Sequence, residues 1–161
     1  MSENMLDKIV LFDEEDKYWI LLDSEDIIDP GIQKLCDAIN YVDCFVTMNS
    51  CQGALYEDEK LNHCYKTYVD FYVLNHQYHV ANKLFKILVS KFGDMLDCKL
   101  KFWPDYDYTD DDCANENGNV ILRYSLEFVD INGWLKNGIK IMNEVINEIR
   151  YFGKLYKENK I

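Results

Sequence analysis

The sequence contains few arginines and few histidines. Among 161 residues there are two arginines, Arg123 and Arg150, and three histidines. Two arginines provide few guanidinium groups for bidentate hydrogen bonds to phosphate or guanine. Charged residues interrupt every apolar run before it reaches the length of a bilayer span. We therefore expect neither direct nucleic-acid binding nor membrane insertion.

The sequence also lacks the features of a disulfide-bonded protein. The six cysteines include no C-x-x-C pair, and the acidic start Met1–Asn4 lacks the features of an export signal. Cys36 and Cys44 have apolar neighbours, which is typical of small buried side chains. We expect reduced thiols in a cytoplasmic protein.

Acidic residues are abundant and unevenly distributed. The net charge is −12, and the first 60 residues carry fifteen acidic against four basic side chains. Such a surface repels nucleic acid and suits a basic or metal-bearing partner, such as a basic host protein. The alternative is that the charge only keeps the protein soluble.

The hydrophobic pattern predicts one α+β domain over residues 1–161, with a mostly antiparallel sheet covered by about three helices. Runs at 8–12 and 18–22, around the acidic residues 13–16, predict a hairpin. Further strands are predicted at 45–48, 65–74, 99–103 and 120–128, and the last two are predicted to pair. Helices are predicted to begin at Asp29-Pro30, at Asn75 (ending at Gly93) and at Asp130, the last continuing past Phe152. This long last helix covers the sheet or, alternatively, forms a homo-oligomer.

One turn carries most of the functional signal. The strand predicted at 45–48 leads into a predicted turn that contains Asn49, Ser50, Cys51 and Gly53. Glycine permits backbone angles closed to other residues, and the polar side chains can hydrogen-bond a small polar ligand. We therefore predict ligand contacts from Asn49, Ser50, Cys51 and Gly53. The alternative is a strand-ending turn with an inert thiol, since no histidine lies in a local pattern that would activate Cys51.

A second candidate is the tyrosine-rich strand. Asp70 lies between Tyr68 and Tyr72 at alternating positions, so the three side chains share one side of the strand. A carboxylate between two phenols could line a pocket and orient an amine or hydroxyl. If that side faces solvent, Asp70 is simply an edge residue.

No metal site is predicted. His76 and His79 are three residues apart near a helix start, and His63 precedes Cys64, but neither spacing matches a zinc pattern. The acidic run 105–112 lacks the glycine and terminal glutamate of a calcium loop.

The segment 29–53 also resembles a known family. Its pattern resembles the front of the wybutosine-synthesis tRNA methyltransferase family and comprises Asp29, Ile32, Leu35, Ile39-Asn40, Phe45, Thr47, Ser50-Cys51 and Gly53. In that family a helix leads into a strand whose Ser-Cys-x-Gly end helps to form the S-adenosylmethionine site. The resemblance implies cofactor contacts from Ser50, Cys51 and Gly53. Ala54 stands where that family has a basic residue.

These observations lead to three functional hypotheses. The first is a non-catalytic binding protein, of the kind phages and mobile elements use as accessory or anti-defence factors, that sequesters a small polar, nucleotide-like ligand or blocks a host protein. The second is a methyltransferase-like enzyme that uses S-adenosylmethionine. The third is an acidic mimic of nucleic acid that binds a basic protein. The residues supply no catalytic set and identify no cofactor.

Overall fold

The computed structural model describes residues 5–24, 28, 30–51, 67–105, 118–129 and 138–161. Within these ranges the fold is α+β, and the predicted class is confirmed. The helices are α1 (Glu14–Ser24), α2 (Gln33–Tyr41), α3 (Tyr78–Phe92) and α4 (Gly138–Lys157). The strands are β1 (Phe45–Cys51), β2 (Thr67–Val73), β3 (Leu96–Pro104) and β4 (Val120–Phe128).

The four strands form one antiparallel sheet in the order β1-β2-β4-β3. The predicted pairing of the third and fourth strands is confirmed, and it runs in continuous register from Leu96 opposite Phe128 to Pro104 opposite Val120. β2 lies in the interior of the sheet, between β1 and β4. The tyrosine-rich strand is therefore not an edge.

One face of the sheet forms the hydrophobic core with α2, α3 and α4. Phe71 of β2 is fully buried and lies against Phe45 and Tyr124, with ring centroids 4.8 Å and 5.6 Å away. Phe85 of α3 contacts the same ring edge-on at 5.9 Å. Aromatic contacts of this kind add to the free energy of burial, so this helix-covered face stabilises the fold.

The predicted hairpin over residues 8–22 is wrong, because residues 14–24 form α1. Asp13 accepts a hydrogen bond from the Asp16 amide (3.0 Å), and Asp16 accepts one from the Asp13 amide (2.9 Å). This reciprocal pair is a capping box, and acidic residues in the first turn also favour the helix dipole. The acidic run therefore begins a helix. Among the described residues, residues 8–12 form one isolated parallel bridge, from Ile9 to Val120.

Two other helix starts differ from the prediction. α2 begins at Gln33, after a turn that contains Pro30, while Asp29 lies outside the described residues. Asn75 does not cap α3, which begins at Tyr78; instead its side chain donates to Glu14 (2.8 Å). The predicted stop of α3 at Gly93 is confirmed, with φ of +56° there. The predicted cap of the last helix, Asp130, also lies outside the described residues.

The contact between α2 and α4 depends on Gly153. A Cβ atom at this position would lie 2.7 Å from Cδ1 of Tyr41 and 3.4 Å from Cγ2 of Val42. Glycine in a helix interior costs about 0.5–1 kcal/mol relative to alanine, so a close approach must justify it.

We expect Gly153→Ala to lower the free energy of unfolding by about 1–3 kcal/mol, because overpacking outweighs the gain in helix propensity. Urea unfolding checks this result. In a Tyr41→Ala background the same substitution should instead stabilise the protein. Destabilisation of equal size in both backgrounds would contradict the proposed close contact.

Two further properties concern the described residues only. Cys36, Cys44 and Cys98 are free thiols. No helix among these ranges is both long enough and apolar enough to cross a bilayer.

Candidate functional site

The second face of the sheet is polar, and we call it the polar face. Strand alternation and the pairing register place three groups of side chains on it. They are Tyr68, Asp70 and Tyr72 of β2; Arg123, Ser125 and Glu127 of β4; and Asp97, Lys99, Lys101 and Trp103 of β3. Phe12 covers its end near Tyr72, where the two rings stack at 4.3 Å, and Asp70 and Ser125 at its centre are also buried. The polar face therefore differs from the helix-covered face in composition.

A β-bulge determines which side chains of β1 reach this face. Thr47 pairs with Phe71, but the next residue in register, Asn49, pairs with Asp70, so Met48 is an additional residue. An insertion of one residue turns every later side chain to the opposite face. The predicted turn at 49–51 is therefore wrong, because these residues continue β1 to Cys51. Asn49 and Cys51 consequently lie on the polar face. Ser50 lies on the helix-covered face and hydrogen-bonds the thiol of Cys36.

The bulge brings most of the predicted ligand-binding residues together. Five of them share the polar face: Asn49, Cys51, Tyr68, Asp70 and Tyr72. Within this group the Asn49 amide donates to the Tyr68 hydroxyl at 3.2 Å. The exceptions are Ser50, which points to the opposite face, and Gly53, which lies outside the described residues.

Asp70 is the centre of this face. Its residue exposure is 2%, so the expectation that it is a solvent-facing edge residue is wrong. Arg123 approaches it, with Nη1 at 3.5 Å from Oδ2. The guanidinium also lies over the rings of Trp103 (5.1 Å) and Tyr72 (5.9 Å). Cation–π contacts of this kind hold an arginine in a fixed orientation.

Three buried polar atoms in this cluster have no hydrogen-bond partner among the described residues. They are Oδ1 of Asp70, Nε of Arg123 and Oγ of Ser125. Ser125 has no exposed surface and stands directly opposite Asp70 in the β2–β4 ladder. Each unpaired buried group costs about 1–3 kcal/mol, so three together need an explanation. We call these residues the Asp70 cluster.

The ion pairs around the cluster balance its charge. Lys99 lies 2.9 Å from Asp97 and 3.3 Å from Glu127, while Lys101 lies 3.5 Å from Glu127. With the Asp70–Arg123 pair, the described residues of the polar face include three acidic and three basic side chains, so their charges cancel.

The cavity at the end of β1 is too small for a cofactor. It encloses about 50 Å³ and is lined by Ser24, Ile28, Cys36, Thr47, Met48, Asn49 and Ser50. Typical ligand pockets enclose about 300–1,000 Å³, whereas this volume holds a few water molecules. Burial raises the pKa of Cys36 to about 11, so its thiol stays protonated. Cys51 is partly exposed and does not line this cavity.

A larger cavity of about 360 Å³ lies between the start of α3 and the end of α4. Four of its polar side chains pair with one another. The Tyr156 hydroxyl donates to Gln77 at 2.9 Å, and Lys157 forms an ion pair with Asp43 at 2.9 Å. This cavity therefore presents less unmet hydrogen-bonding capacity than the Asp70 cluster.

No group of three metal-ligating side chains comes together within the described residues. His76 lies in a 3₁₀ turn and stacks on Tyr78, while His79 lies exposed in the first turn of α3. His63, Cys64 and most of the acidic run 105–112 fall outside those residues.

Sequence reasoning missed Arg123 and Ser125. The available signal was the alternation of β4, which places both on the side opposite Tyr124, together with the rarity of arginine in this chain. The pairing of β4 with β2, which the sequence does not reveal, brings them to Asp70.

Comparisons with protein-family models, curated proteins and solved structures find no match for this chain. The resemblance of residues 29–53 to the wybutosine-synthesis methyltransferases therefore stays a prediction.

Proposed function

We propose that this protein is a non-catalytic binding protein whose polar face binds a small, neutral, polar ligand at the Asp70 cluster. The observation that carries the proposal is the set of three buried, unpaired polar atoms, Asp70 Oδ1, Arg123 Nε and Ser125 Oγ. A ligand that satisfies them recovers hydrogen bonds that the described residues leave unmade.

The chemistry of these atoms defines the ligand. Asp70 Oδ1 accepts a hydrogen bond, Arg123 Nε donates one, and the Ser125 hydroxyl does either. The complement is a molecule with a donor and an acceptor side by side, as on the edge of a nucleobase or in a primary amide. Because the surrounding charges cancel, a neutral ligand is favoured over a free phosphate.

Partly exposed side chains mark the approach to the cluster. The side chains of Lys99 and Lys101 are 42% and 32% exposed, compared with 15% for Arg123 and 3% for Asp70. Exposure thus rises toward β3, where Trp103 is 46% exposed. An aromatic ring at this border can stack on a planar base, which favours a nucleobase over an aliphatic amide.

The proposal is tested by thermal unfolding with nucleosides, free nucleobases, nicotinamide, S-adenosylmethionine and inorganic phosphate. At 100 times its Kd, a ligand of the folded state adds about 2.7 kcal/mol to the free energy of unfolding. We expect stabilisation by a base or amide and none by phosphate. Stabilisation by S-adenosylmethionine alone would instead support the methyltransferase hypothesis.

A substitution of Ser125 tests whether the ligand binds at the Asp70 cluster. Ser125→Ala should weaken binding about tenfold, equivalent to about 1.4 kcal/mol, because one ligand hydrogen bond is lost. Ser90 lies exposed on α3, so Ser90→Ala is the matched control and should leave affinity unchanged. If no base or amide binds, or if the two variants bind alike, the proposed site is wrong.

The origin in a phage or mobile element, and a role in blocking a host defence, rest on composition alone. They add nothing to the choice of ligand.

A further inference from the structure

The outward side of α1 exposes large apolar side chains. Tyr18, Trp19 and Leu22 are 61%, 54% and 48% exposed, and α1 contains no buried residue. Helical spacing places these three side chains on one side together with Glu15 and Asp23. We call this set of five residues the α1 outer face. Contiguous exposed apolar groups rimmed by charge are typical of interaction sites.

The only basic residue of α1 points away from this face. The ammonium group of Lys17 donates to the carbonyl oxygens of Asn40 (2.9 Å) and Asp43 (3.1 Å) at the end of α2. Ile20 and Leu21, on the same side of the helix, pack against the core. The side of α1 that carries Lys17, Ile20 and Leu21 therefore attaches the helix to the rest of the protein. The α1 outer face itself contains no basic residue.

The α1 outer face includes two exposed carboxylates. Asp16 is used in the capping box, but Glu15 and Asp23 are exposed. A second copy of the chain would set these carboxylates against identical ones, which costs free energy. Nucleic acid and anionic bilayers are repelled for the same reason. The complementary surface is apolar and cationic.

We propose that the α1 outer face docks a cationic amphipathic helix of a partner protein. Leucine-like side chains of that helix would cover Tyr18, Trp19 and Leu22, while lysines would pair with Glu15 and Asp23. Association through an apolar centre and a charged rim is typical of helix recognition. This surface is separate from the Asp70 cluster, so either proposal can fail alone.

The test uses a synthetic leucine–lysine peptide of about three helical turns, the length of α1. Its readout is the indole N–H signals of the intact protein in NMR spectra, assigned with tryptophan-to-phenylalanine variants. We expect a saturable shift of the Trp19 signal and none of the Trp103 signal. A peptide of the same composition in scrambled order should bind at least tenfold more weakly.

Substitutions locate the interaction. Trp19→Ser and the pair Glu15→Lys with Asp23→Lys should each weaken peptide binding at least tenfold. These positions are exposed, so circular dichroism should stay unchanged. Tyr151→Ser, at a position 58% exposed on α4, is the matched control and should bind normally.

Two outcomes would overturn the proposal. One is peptide binding that persists in the Trp19→Ser and charge-reversed variants, or that leaves the Trp19 signal unmoved. The other is sedimentation evidence of a dimer that Trp19→Ser dissociates, which would make a second copy of the chain the occupant.

Discussion

Asp70→Ala should lower the free energy of unfolding by about 3–5 kcal/mol, because it leaves the Arg123 guanidinium partly buried without its counter-charge. The Arg123 side chain is 15% exposed, so water compensates only part of the loss. Cation–π contacts with Trp103 and Tyr72 hold the guanidinium in place. Urea unfolding at neutral pH measures the change.

Two control variants test whether the loss of stability comes from breaking the ion pair between Asp70 and Arg123. Asp94 is exposed after α3, so Asp94→Ala should change the free energy of unfolding by less than about 0.5 kcal/mol. Replacing both partners, Asp70→Val with Arg123→Met, should restore most of the stability, since apolar replacement of a buried ion pair is often neutral. A joint variant as unstable as Asp70→Ala would contradict this account of the pair.

Phe71→Ala should lower the free energy of unfolding by about 3–5 kcal/mol, as expected for loss of a buried phenylalanine. Phe71 is fully buried, and its ring contacts those of Phe45, Phe85 and Tyr124. The substitution leaves a cavity where β2 meets α3. Calorimetry or urea unfolding measures this loss.

The matched control is Phe102→Ala. Phe102 lies on the edge strand β3 with 60% of its surface exposed, so its truncation should cost less than about 1 kcal/mol. Similar losses for the two variants would contradict the view that burial of the Phe71 ring is what stabilises the fold.

Much of the sheet could be predicted because its strands alternate clearly. The fourth strand was predicted at residues 120–128 and forms there, and its pairing with the third is as expected. α1 could not be predicted in this way, since Trp19 and Leu22 extend an apolar run that suits a strand equally well. The capping box of Asp13 and Asp16 decides for a helix.

The candidate site was predictable only in part. Alternation placed Tyr68, Asp70 and Tyr72 on one side of β2, as the structure confirms. The burial of Asp70 was not predictable, because it depends on β2 lying inside the sheet. Ser50 lies on the opposite face of the sheet from Asn49 and Cys51 because of the bulge at Met48. No pattern in the sequence predicts this bulge.

The most direct test of the Asp70 cluster is a calorimetric titration with the nucleobase or amide that stabilises the protein in thermal unfolding. This compound is titrated into the unchanged protein and into the joint variant Asp70→Val with Arg123→Met. The joint variant keeps an apolar, well-paired sheet but removes the acceptor and the donor that the ligand needs. We expect saturable binding to the unchanged protein and none to the folded joint variant. Equal affinity for both would contradict recognition by the Asp70 cluster.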